Sequence, residues 1–253
     1  MIGARVLLIE DNETNRFVAE ELLLTAKCVV VSAQDGRAGV DYAIRQQFAL
    51  ILLDINLPIL NGWDAAKEIR SSPNAKSKLT PIYALTGSNR PDQEQEMVNA
   101  EIQGILVKPL RAAQLQKILT ELNTYSPNNT ASAFKKAPSQ NHDAANIEYD
   151  VIMELKEVLG SALFKTQQQK FVSEITGGLE QLLAFSKHGS GQQTSQLAHR
   201  MNGLALVFGA KAIASKLEKI EVSANTIPHE TLEQLIIELS LLVATYQRII
   251  AEN

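Results

Sequence analysis

The sequence predicts an α/β domain in the first half of the chain and an all-α domain in the second. Two observations carry the first prediction: five short apolar runs alternate with helix-like segments, and the run Ala49–Leu53 ends in a carboxylate, Asp54. Apolar runs without polar alternation indicate strands that are buried on both faces, as in parallel sheets. Regular β-α alternation therefore predicts a doubly wound, five-stranded parallel sheet with flavodoxin-like strand order. The second half contains no strand pattern, which favours a helical bundle.

The elements of the first half follow each other in strict alternation. The apolar runs predict strands at residues 5–9, 28–31, 50–53, 81–85 and 104–107. The segments between and after them predict helices at residues 14–27, 38–46, 63–70, 92–100 and 111–122. Right-handed crossovers place these helices on both faces of the sheet.

Composition argues against several classes of protein. The net charge of −4 over 253 residues provides no excess of positive charge for binding the phosphates of a nucleic acid. The single cysteine, Cys28, allows neither a disulfide framework nor a thiolate metal site and fits a reducing compartment. No apolar run approaches the ~20 residues that a membrane-spanning helix needs, and the N-terminus lacks a signal-peptide pattern. We therefore expect a cytoplasmic segment without membrane contact of its own, and a longer, membrane-anchored parent protein stays open.

Polar side chains follow four of the predicted strands. Glu10 and Asp11 follow the first strand, Asp54 the third, Thr86 the fourth and Lys108 the fifth. The ends of parallel strands meet at one edge of the sheet, where open α/β sheets bind ligands. Three adjacent carboxylates repel each other unless a cation lies among them, and oxygen ligands of this kind suit Mg²⁺. With Lys108 and Thr86 to hold an anion's oxygens, the pattern predicts an aspartyl-phosphate site whose nucleophile is Asp54.

Each of these residues alone has a plainer interpretation. An acidic pair after a strand is often a solvated turn or a helix N-cap, and Lys108-Pro109 after a strand is usually a loop. The joint spacing, with each residue at the end of its own strand, is far more specific than any one of them.

Four motifs in this half resemble the receiver domain of response regulators: Leu7–Asn12, Leu52–Gly62, Ala84–Thr86 and Lys108–Leu110. The resemblance covers residue 4 to about residue 122. It implies that Asp54 is the phosphoacceptor and that Thr86 and Lys108 contact the phosphoryl oxygens. It also implies a set of Mg²⁺ ligands: Asp11, Asp54 and the main-chain carbonyl of Asn56, with Glu10 acting mainly through water.

Two positions depart from the receiver pattern. Ile105 stands three residues before Lys108, where many receivers have an aromatic switch residue, so we do not expect an aromatic output signal. Gly87 follows Thr86 where the family usually has alanine, which loosens the loop backbone without blocking the site.

The sequence between the two halves predicts a flexible linker. Residues 123–146 are polar, contain two prolines and have no sustained period. As a flexible coil of this length it would reach about 25–30 Å. The predicted domains are therefore residues 1–122 and 147–253, joined by this linker.

The second half predicts five helices with short connections, at residues 147–159, 163–185, 193–208, 211–222 and 231–251. Short connections favour antiparallel neighbours, and hence an up-and-down bundle of four main helices after a short leading one. In the third helix the large apolar residues lie on one stripe. His199 lies on the opposite face and is predicted to be exposed, with Gly203 one turn further on. A glycine inside a helix costs about 1 kcal/mol relative to alanine, and clearance for another molecule's backbone would explain it.

The segment Leu197–Ala210 resembles the signature of the histidine-containing phosphotransfer (HPt) domain, a resemblance that covers roughly residues 147–253. It implies that His199 accepts a phosphoryl group on a ring nitrogen. Three residues after the histidine the family commonly has lysine, whereas Asn202 stands here and carries no charge. Arg200 lies too far round the helix to replace it simply. Arg200, Asn202 and Gly203 are the predicted docking residues.

The two halves together predict a phosphorelay protein, and the resemblance is closest to the receiver–HPt tail of hybrid sensor histidine kinases. Asp54 would be loaded by an upstream sensor histidine kinase, and His199 would pass the group to a downstream response-regulator receiver. The chain contains no recognisable ATP-binding segment, so we expect no autophosphorylation from ATP. Two alternatives stay open: a binding module whose bundle merely docks a partner, and a phosphate sink that hydrolyses the aspartyl phosphate.

Overall fold

The computed structural model describes residues 3–87, 91–124 and 147–252. The chain divides into two compact units, Met1–Ala137 and Pro138–Asn253. The predicted linker lies outside the described residues from position 125 to position 146. In the described ranges no helix is both long and apolar enough to cross a membrane.

The first unit contains a five-stranded parallel sheet. Its strands are β1 (Arg5–Ile9), β2 (Val29–Ala33), β3 (Leu50–Asp54), β4 (Ile82–Thr86) and β5 (Gly104–Val107). They are ordered β2-β1-β3-β4-β5, which confirms the predicted flavodoxin-like order. Strand β3 lies in the centre and is buried along its whole length, as its uninterrupted apolar run predicted.

Five helices follow the five strands: α1 (Glu13–Thr25), α2 (Gly36–Arg45), α3 (Gly62–Ser71), α4 (Pro91–Asn99) and α5 (Ala112–Thr124). Three of them begin at a side-chain N-cap, since Asn12, Asp35 and Asn61 each accept a hydrogen bond from a main-chain N–H three residues later. These caps satisfy N–H groups that the first turn of a helix leaves without intrahelical partners. They fix where α1 and α3 begin, and both helices begin close to the carboxyl edge of the sheet.

The second unit is the predicted helical bundle. Its helices are α6 (Tyr149–Leu159), α7 (Ser161–Lys187), α8 (Gly191–Val207), α9 (Lys211–Ser223) and α10 (His229–Glu252). Helix α7 packs against α8, α8 against α9, α9 against α10, and α10 against α7, while α6 packs against α7. This closed order of four long helices with a shorter leading helix agrees with the sequence-based expectation.

Hydrogen bonds from two other segments of the bundle stabilise the corner between α8 and α9. Gly209 ends α8 with a φ of 65°, a left-handed conformation that glycine adopts without steric cost. The Glu148 N–H donates to the Gly209 carbonyl at 2.8 Å, and the Tyr246 hydroxyl donates to the Phe208 carbonyl at 2.9 Å. The start of α6 and the end of α10 thereby hold the C-terminal end of the helix that carries His199.

Candidate functional site

The strand ends that the sequence placed together do lie at one edge of the sheet. The register is Ile9 beside Leu53, Asp54 beside Leu85, and Thr86 beside Val107. The four strands β1, β3, β4 and β5 therefore end nearly level with one another. The residues that end or follow them, Glu10, Asp54, Thr86 and Lys108, line this carboxyl edge.

Three carboxylates cluster at this edge. Each of Glu10, Asp11 and Asp54 offers an oxygen that lies within 4.8 Å of the other two. Glu10 and Asp54 are almost fully buried, at 2% and 1% exposure. Lys108 Nζ lies 2.7 Å from Glu10 Oε2 and 2.7 Å from Asp54 Oδ2. One ammonium against three carboxylates leaves excess negative charge when all are ionised, which is the situation that a divalent cation relieves.

The protonation equilibria of the cluster reflect this excess of acid. Burial raises the pKa of Glu10 to about 7, and the neighbouring carboxylates of Asp54 and Asp11 add to the rise, although the Lys108 ammonium opposes it. Burial alone would lower the pKa of Lys108, but Asp54 and Glu10 outweigh it and raise the pKa above its ordinary value. Lys108 therefore stays protonated near neutral pH, whereas Glu10 titrates in that range.

The Asp54 carboxylate is held from two sides. The Asn56 N–H donates to Oδ1 at 3.0 Å, and Lys108 donates to Oδ2 at 2.7 Å. The loop after β3 folds back on the strand, since the Gly62 N–H donates to the Ile55 carbonyl at 2.8 Å. A Cβ on Gly62 would lie 2.3 Å from the Asp54 carbonyl oxygen, so this close return requires glycine.

Helix α1 supplies supporting residues that the sequence reasoning missed. Asn15 Nδ2 donates to Glu10 Oε1 at 3.2 Å, so both oxygens of Glu10 have protein partners. Arg16 Nη1 donates to the main-chain carbonyls of Glu10 and Asp11, at 2.8 and 3.1 Å. The signal available in the sequence was Asn12, a residue type that commonly caps a helix. A helix that begins directly after β1 places the side chains of its first turn near the carboxyl edge of the sheet.

Thr86 has a partner from α4 that was also missed. Gln93 Nε2 donates to Thr86 Oγ1 at 3.1 Å, and both residues are buried. The main chain of Thr86 is tied to the lysine, because the Lys108 N–H donates to the Thr86 carbonyl at 2.7 Å. Nothing in the sequence distinguishes Gln93 from the other polar residues of α4.

The donor set fits magnesium. Carboxylate oxygens are ligands that suit Mg²⁺, and this ion keeps several waters. Glu10, Asp11 and Asp54 provide such oxygens. The main-chain carbonyl of Asn56 belongs to the residue whose N–H binds Asp54, and its role as a ligand stays a prediction.

His199 on α8 forms a second site with a residue of α9. His199 Nδ1 lies 3.2 Å from Glu221 Oε1. The prediction of an exposed imidazole is corrected, since only 14% of this side chain is exposed. The cause is α9, which packs along α8 and brings Glu221 over one edge of the ring. Ser195, one turn before His199, donates from Oγ to the Glu221 carbonyl at 2.9 Å, and this bond fixes the two helices in register beside the imidazole.

The predicted docking residues differ in exposure. Arg200 is exposed, whereas Asn202 and Gly203 are buried. Helix α8 packs between α7 and α9, so its neighbours cover more of its circumference than the apolar stripe alone indicates. A direct contact of Asn202 with a group bound outside the bundle is not supported by this burial, and the docking role of Arg200 stays a prediction.

The fold and the carboxylate edge together define a receiver domain of the two-component type. Residues 6–120 match the family model of the response regulator receiver domain. The N-terminal part of the chain is therefore a receiver domain and belongs to that family.

Longer similarities are found with sensor kinases. The chain is 29% identical over 223 residues to the sensor histidine kinase AruS of Pseudomonas aeruginosa, covering 87% of this chain and 21% of that protein. It is 25% identical over 229 residues to the virulence sensor protein BvgS of Bordetella bronchiseptica, covering 88% and 18%. The chain thus spans about a fifth of the length of these relatives. Both similarities cover more residues than the receiver domain contains and so extend into the helical half.

Among solved structures, one similar chain is the receiver domain of a sensor histidine kinase from Pseudomonas aeruginosa. It is described with a magnesium ion coordinated in its active-site cleft. The identity is 35%, the match covers 49% of this chain and 99% of that chain, and the TM-score is 0.45.

Proposed function

We propose that the chain is a phosphorelay protein in which Asp54 accepts a phosphoryl group from an upstream phosphohistidine. His199 then relays the group to or from a receiver aspartate. The observation that carries the proposal is the buried carboxylate of Asp54, held by Lys108 within a cluster of three acidic side chains. Membership of the receiver family supports the first step, and similarity to sensor kinases over both halves supports the second.

In the first step a carboxylate oxygen of Asp54 attacks the phosphorus. The new O–P bond forms while the N–P bond breaks, and its electron pair returns to the imidazole nitrogen of the donor. Lys108 and Thr86 hold oxygens of the transferred group, and the Asn56 N–H and Lys108 orient the carboxylate beforehand. When bound, Mg²⁺ supplies neutralisation of the charge on that group.

In the second step the nucleophile is His199. A hydrogen on Nδ1, donated to Glu221, leaves the lone pair of the neutral ring on Nε2. Nε2 attacks the phosphorus, the N–P bond forms, and the O–P bond breaks with its electron pair returning to the aspartate. The phosphorylated ring then carries a positive charge beside the Glu221 carboxylate, which stabilises it.

The proposed domain plan is a receiver at residues 1–122, a linker at 123–146 and an HPt bundle at 147–253. The proposed partners are a sensor histidine kinase upstream and a response-regulator receiver downstream. Because the relatives are about four to five times as long as this chain, a hybrid sensor histidine kinase is the proposed parent context.

The test follows radiolabelled phosphoryl groups from acetyl phosphate in the presence of Mg²⁺. The full chain is compared with Asp54→Ala and His199→Gln, and the chemistry of the bound label is read out. Hydroxylamine releases an acyl phosphate, whereas a phosphohistidine is labile in acid and stable in alkali. We expect both kinds of label on the wild type, only the hydroxylamine-sensitive kind on His199→Gln, and none on Asp54→Ala.

Other outcomes separate the alternatives. If no hydroxylamine-sensitive label forms, Asp54 is not a phosphoacceptor and the proposal is wrong. If that label forms but acid-labile label never does, the relay role of His199 is wrong and the bundle serves as a docking module. The lifetime of the Asp54 label identifies a sink, since a relay needs a lifetime longer than seconds.

A further inference from the structure

Helix α4 contains two glutamines with different environments. Gln95 is exposed and donates to Asn99 Oδ1 along the helix surface at 3.1 Å. Gln93 is 5% exposed and donates inward to Thr86 Oγ1, whose residue is 2% exposed. Burying an amide costs free energy unless its polar atoms find partners. The hydrogen bond to Thr86 therefore offsets part of the free-energy cost of burying the Gln93 amide.

The direction of this hydrogen bond has a chemical consequence. The amide N–H is the donor, so the Thr86 hydroxyl accepts with one of its lone pairs. A hydroxyl that accepts a hydrogen bond keeps its own hydrogen for donation, and the accepted bond polarises it into a stronger donor. A Gln93 bond and a bond from Thr86 to a phosphoryl oxygen are therefore compatible and reinforce one another.

The rest of Thr86 is already fixed by its neighbours. Its residue ends β4, pairs with Val107 of β5, and accepts the Lys108 N–H on its carbonyl. The side-chain torsion of Thr86 sets the position of Oγ1 and the direction of its hydrogen. The Gln93 amide contacts Oγ1 directly and so acts on this torsion.

We propose that Gln93 is a positioning residue of the phosphorylation site. It orients the Thr86 hydroxyl so that the hydroxyl hydrogen is directed at a phosphoryl group on Asp54. The inference rests on the proposed function of Asp54 and extends it to a residue on a helix outside the strand ends.

The test uses the full chain carrying His199→Gln, so that label stays on Asp54. Acetyl phosphate with Mg²⁺ is the phosphoryl donor, and the initial rate of hydroxylamine-sensitive labelling is measured. Gln93→Ala removes the bond. Gln93→Glu keeps the shape but replaces the donor by an acceptor, to which Thr86 would donate its hydrogen. Gln95→Ala removes a glutamine from the same helix without touching Thr86 and is the matched control.

We expect Gln93→Ala to slow labelling about 3- to 10-fold, the effect of one lost hydrogen bond. Gln93→Glu should slow it at least as much, because the hydroxyl hydrogen is then directed away from the phosphoryl group. In a Thr86→Ala background the effect of Gln93→Ala should vanish, since the group through which Gln93 acts is absent. Gln95→Ala should label at the wild-type rate.

The proposal is overturned if Gln93→Ala labels at the control rate. It is equally overturned if the slowing by Gln93→Ala persists undiminished in the Thr86→Ala background, which would show a merely structural role. Urea unfolding of each variant shows whether slower labelling arises from a loss of fold. If Gln93→Ala is unfolded, the labelling rate of Gln93→Glu, which preserves side-chain volume, tests the role of Gln93 instead. If the parent chain itself takes no label, the proposed function of Asp54 fails; if it labels and the Gln93 variants match it, only the role of Gln93 fails.

Discussion

The Lys108 ammonium lies 2.7 Å from Asp54 Oδ2, and the same nitrogen lies 2.7 Å from Glu10 Oε2. All three side chains are buried. Removing one partner of a buried ion pair leaves an uncompensated charge, which costs far more than the net gain from forming the pair. Lys108 therefore stabilises the receiver domain, in addition to its proposed role in phosphoryl transfer.

Replacing Lys108 with methionine should destabilise the receiver domain strongly. At pH 8 with EDTA we expect the free energy of unfolding to fall by about 3 kcal/mol, because two buried carboxylates lose their cation. The measurement is urea unfolding followed by the fluorescence of Trp63, the chain's single tryptophan, which begins α3 of the receiver domain after Gly62.

Lys117→Met is the matched control for this loss. Lys117 lies on α5, and its exposed ammonium is 4.0 Å from Glu121. Exposed pairs of this kind contribute about 0–1 kcal/mol, so this variant should unfold close to the wild type. Equal losses in the two lysine variants would contradict a special role for the buried cluster.

Glu10 should make the metal-free receiver domain less stable as the pH rises. Its pKa is about 7 in the folded chain, above the ordinary value of 4.5 for a glutamate. A carboxyl whose pKa is raised by folding holds its proton more tightly when folded, so ionisation costs stability. This cost is absent below pH 4.5, grows between pH 4.5 and pH 7, and is complete above pH 7. Lys108, whose pKa is raised from an already high value, stays charged throughout this window.

The measurement compares wild type with Glu10→Gln in EDTA between pH 5 and pH 8. Glutamine does not titrate, so the difference in unfolding free energy isolates Glu10. From pH 5 to pH 8 we expect the unfolding free energy of Glu10→Gln to rise by about 2 kcal/mol relative to that of the wild type. Parallel stability curves for the two proteins would show that the folded chain does not raise the pKa of Glu10.

Sequence alone predicted the parts of the site that strand topology dictates. Once five β-α units are recognised, Asp54 and Lys108 must reach the same edge, because every parallel strand ends there. No knowledge of side-chain packing is needed for that step. The same reasoning predicted the order of the strands and the bundle of the second half.

The missed residues all lie on helices that cross the site. Whether Asn15 and Gln93 point at the edge depends on the rotation of α1 and α4 about their axes, which a short polar segment does not encode. The exposure predicted for His199 was wrong for a related reason. Helical periodicity placed it opposite the apolar stripe of α8, but the covering residue, Glu221, comes from the next helix, 22 positions further along the chain.

Glu221 should set the tautomer of His199 and so the rate of the second transfer. Between the two tautomers of the neutral ring, a hydrogen bond from Nδ1 to the Glu221 carboxylate at 3.2 Å favours the one with its lone pair on Nε2. The phosphorylated ring gains positive charge, which the carboxylate also stabilises. Glu221→Ala should therefore slow the transfer from Asp54 to His199 by about tenfold or more, the loss of one charge-assisted hydrogen bond. Glu221→Gln keeps a neutral acceptor and should lose less.

Two measurements distinguish this role from a general loss of structure. Acid-labile label on His199, supplied through Asp54, gives the rate of transfer, and long-range ¹⁵N–¹H spectra of the imidazole at pH 8 report which ring nitrogen holds the hydrogen. We expect the Nδ1–H form in the wild type and a shift towards the Nε2–H form in Glu221→Ala.

The matched control is Glu157→Ala, which removes an exposed carboxylate from α6 of the same bundle. If Glu221→Ala keeps the wild-type tautomer and labels His199 as fast as Glu157→Ala, the contact between Glu221 and His199 only joins α8 to α9. A lone pair directed to Nε2 is what lets a partly buried imidazole act as a nucleophile, so the tautomer and the rate should change together.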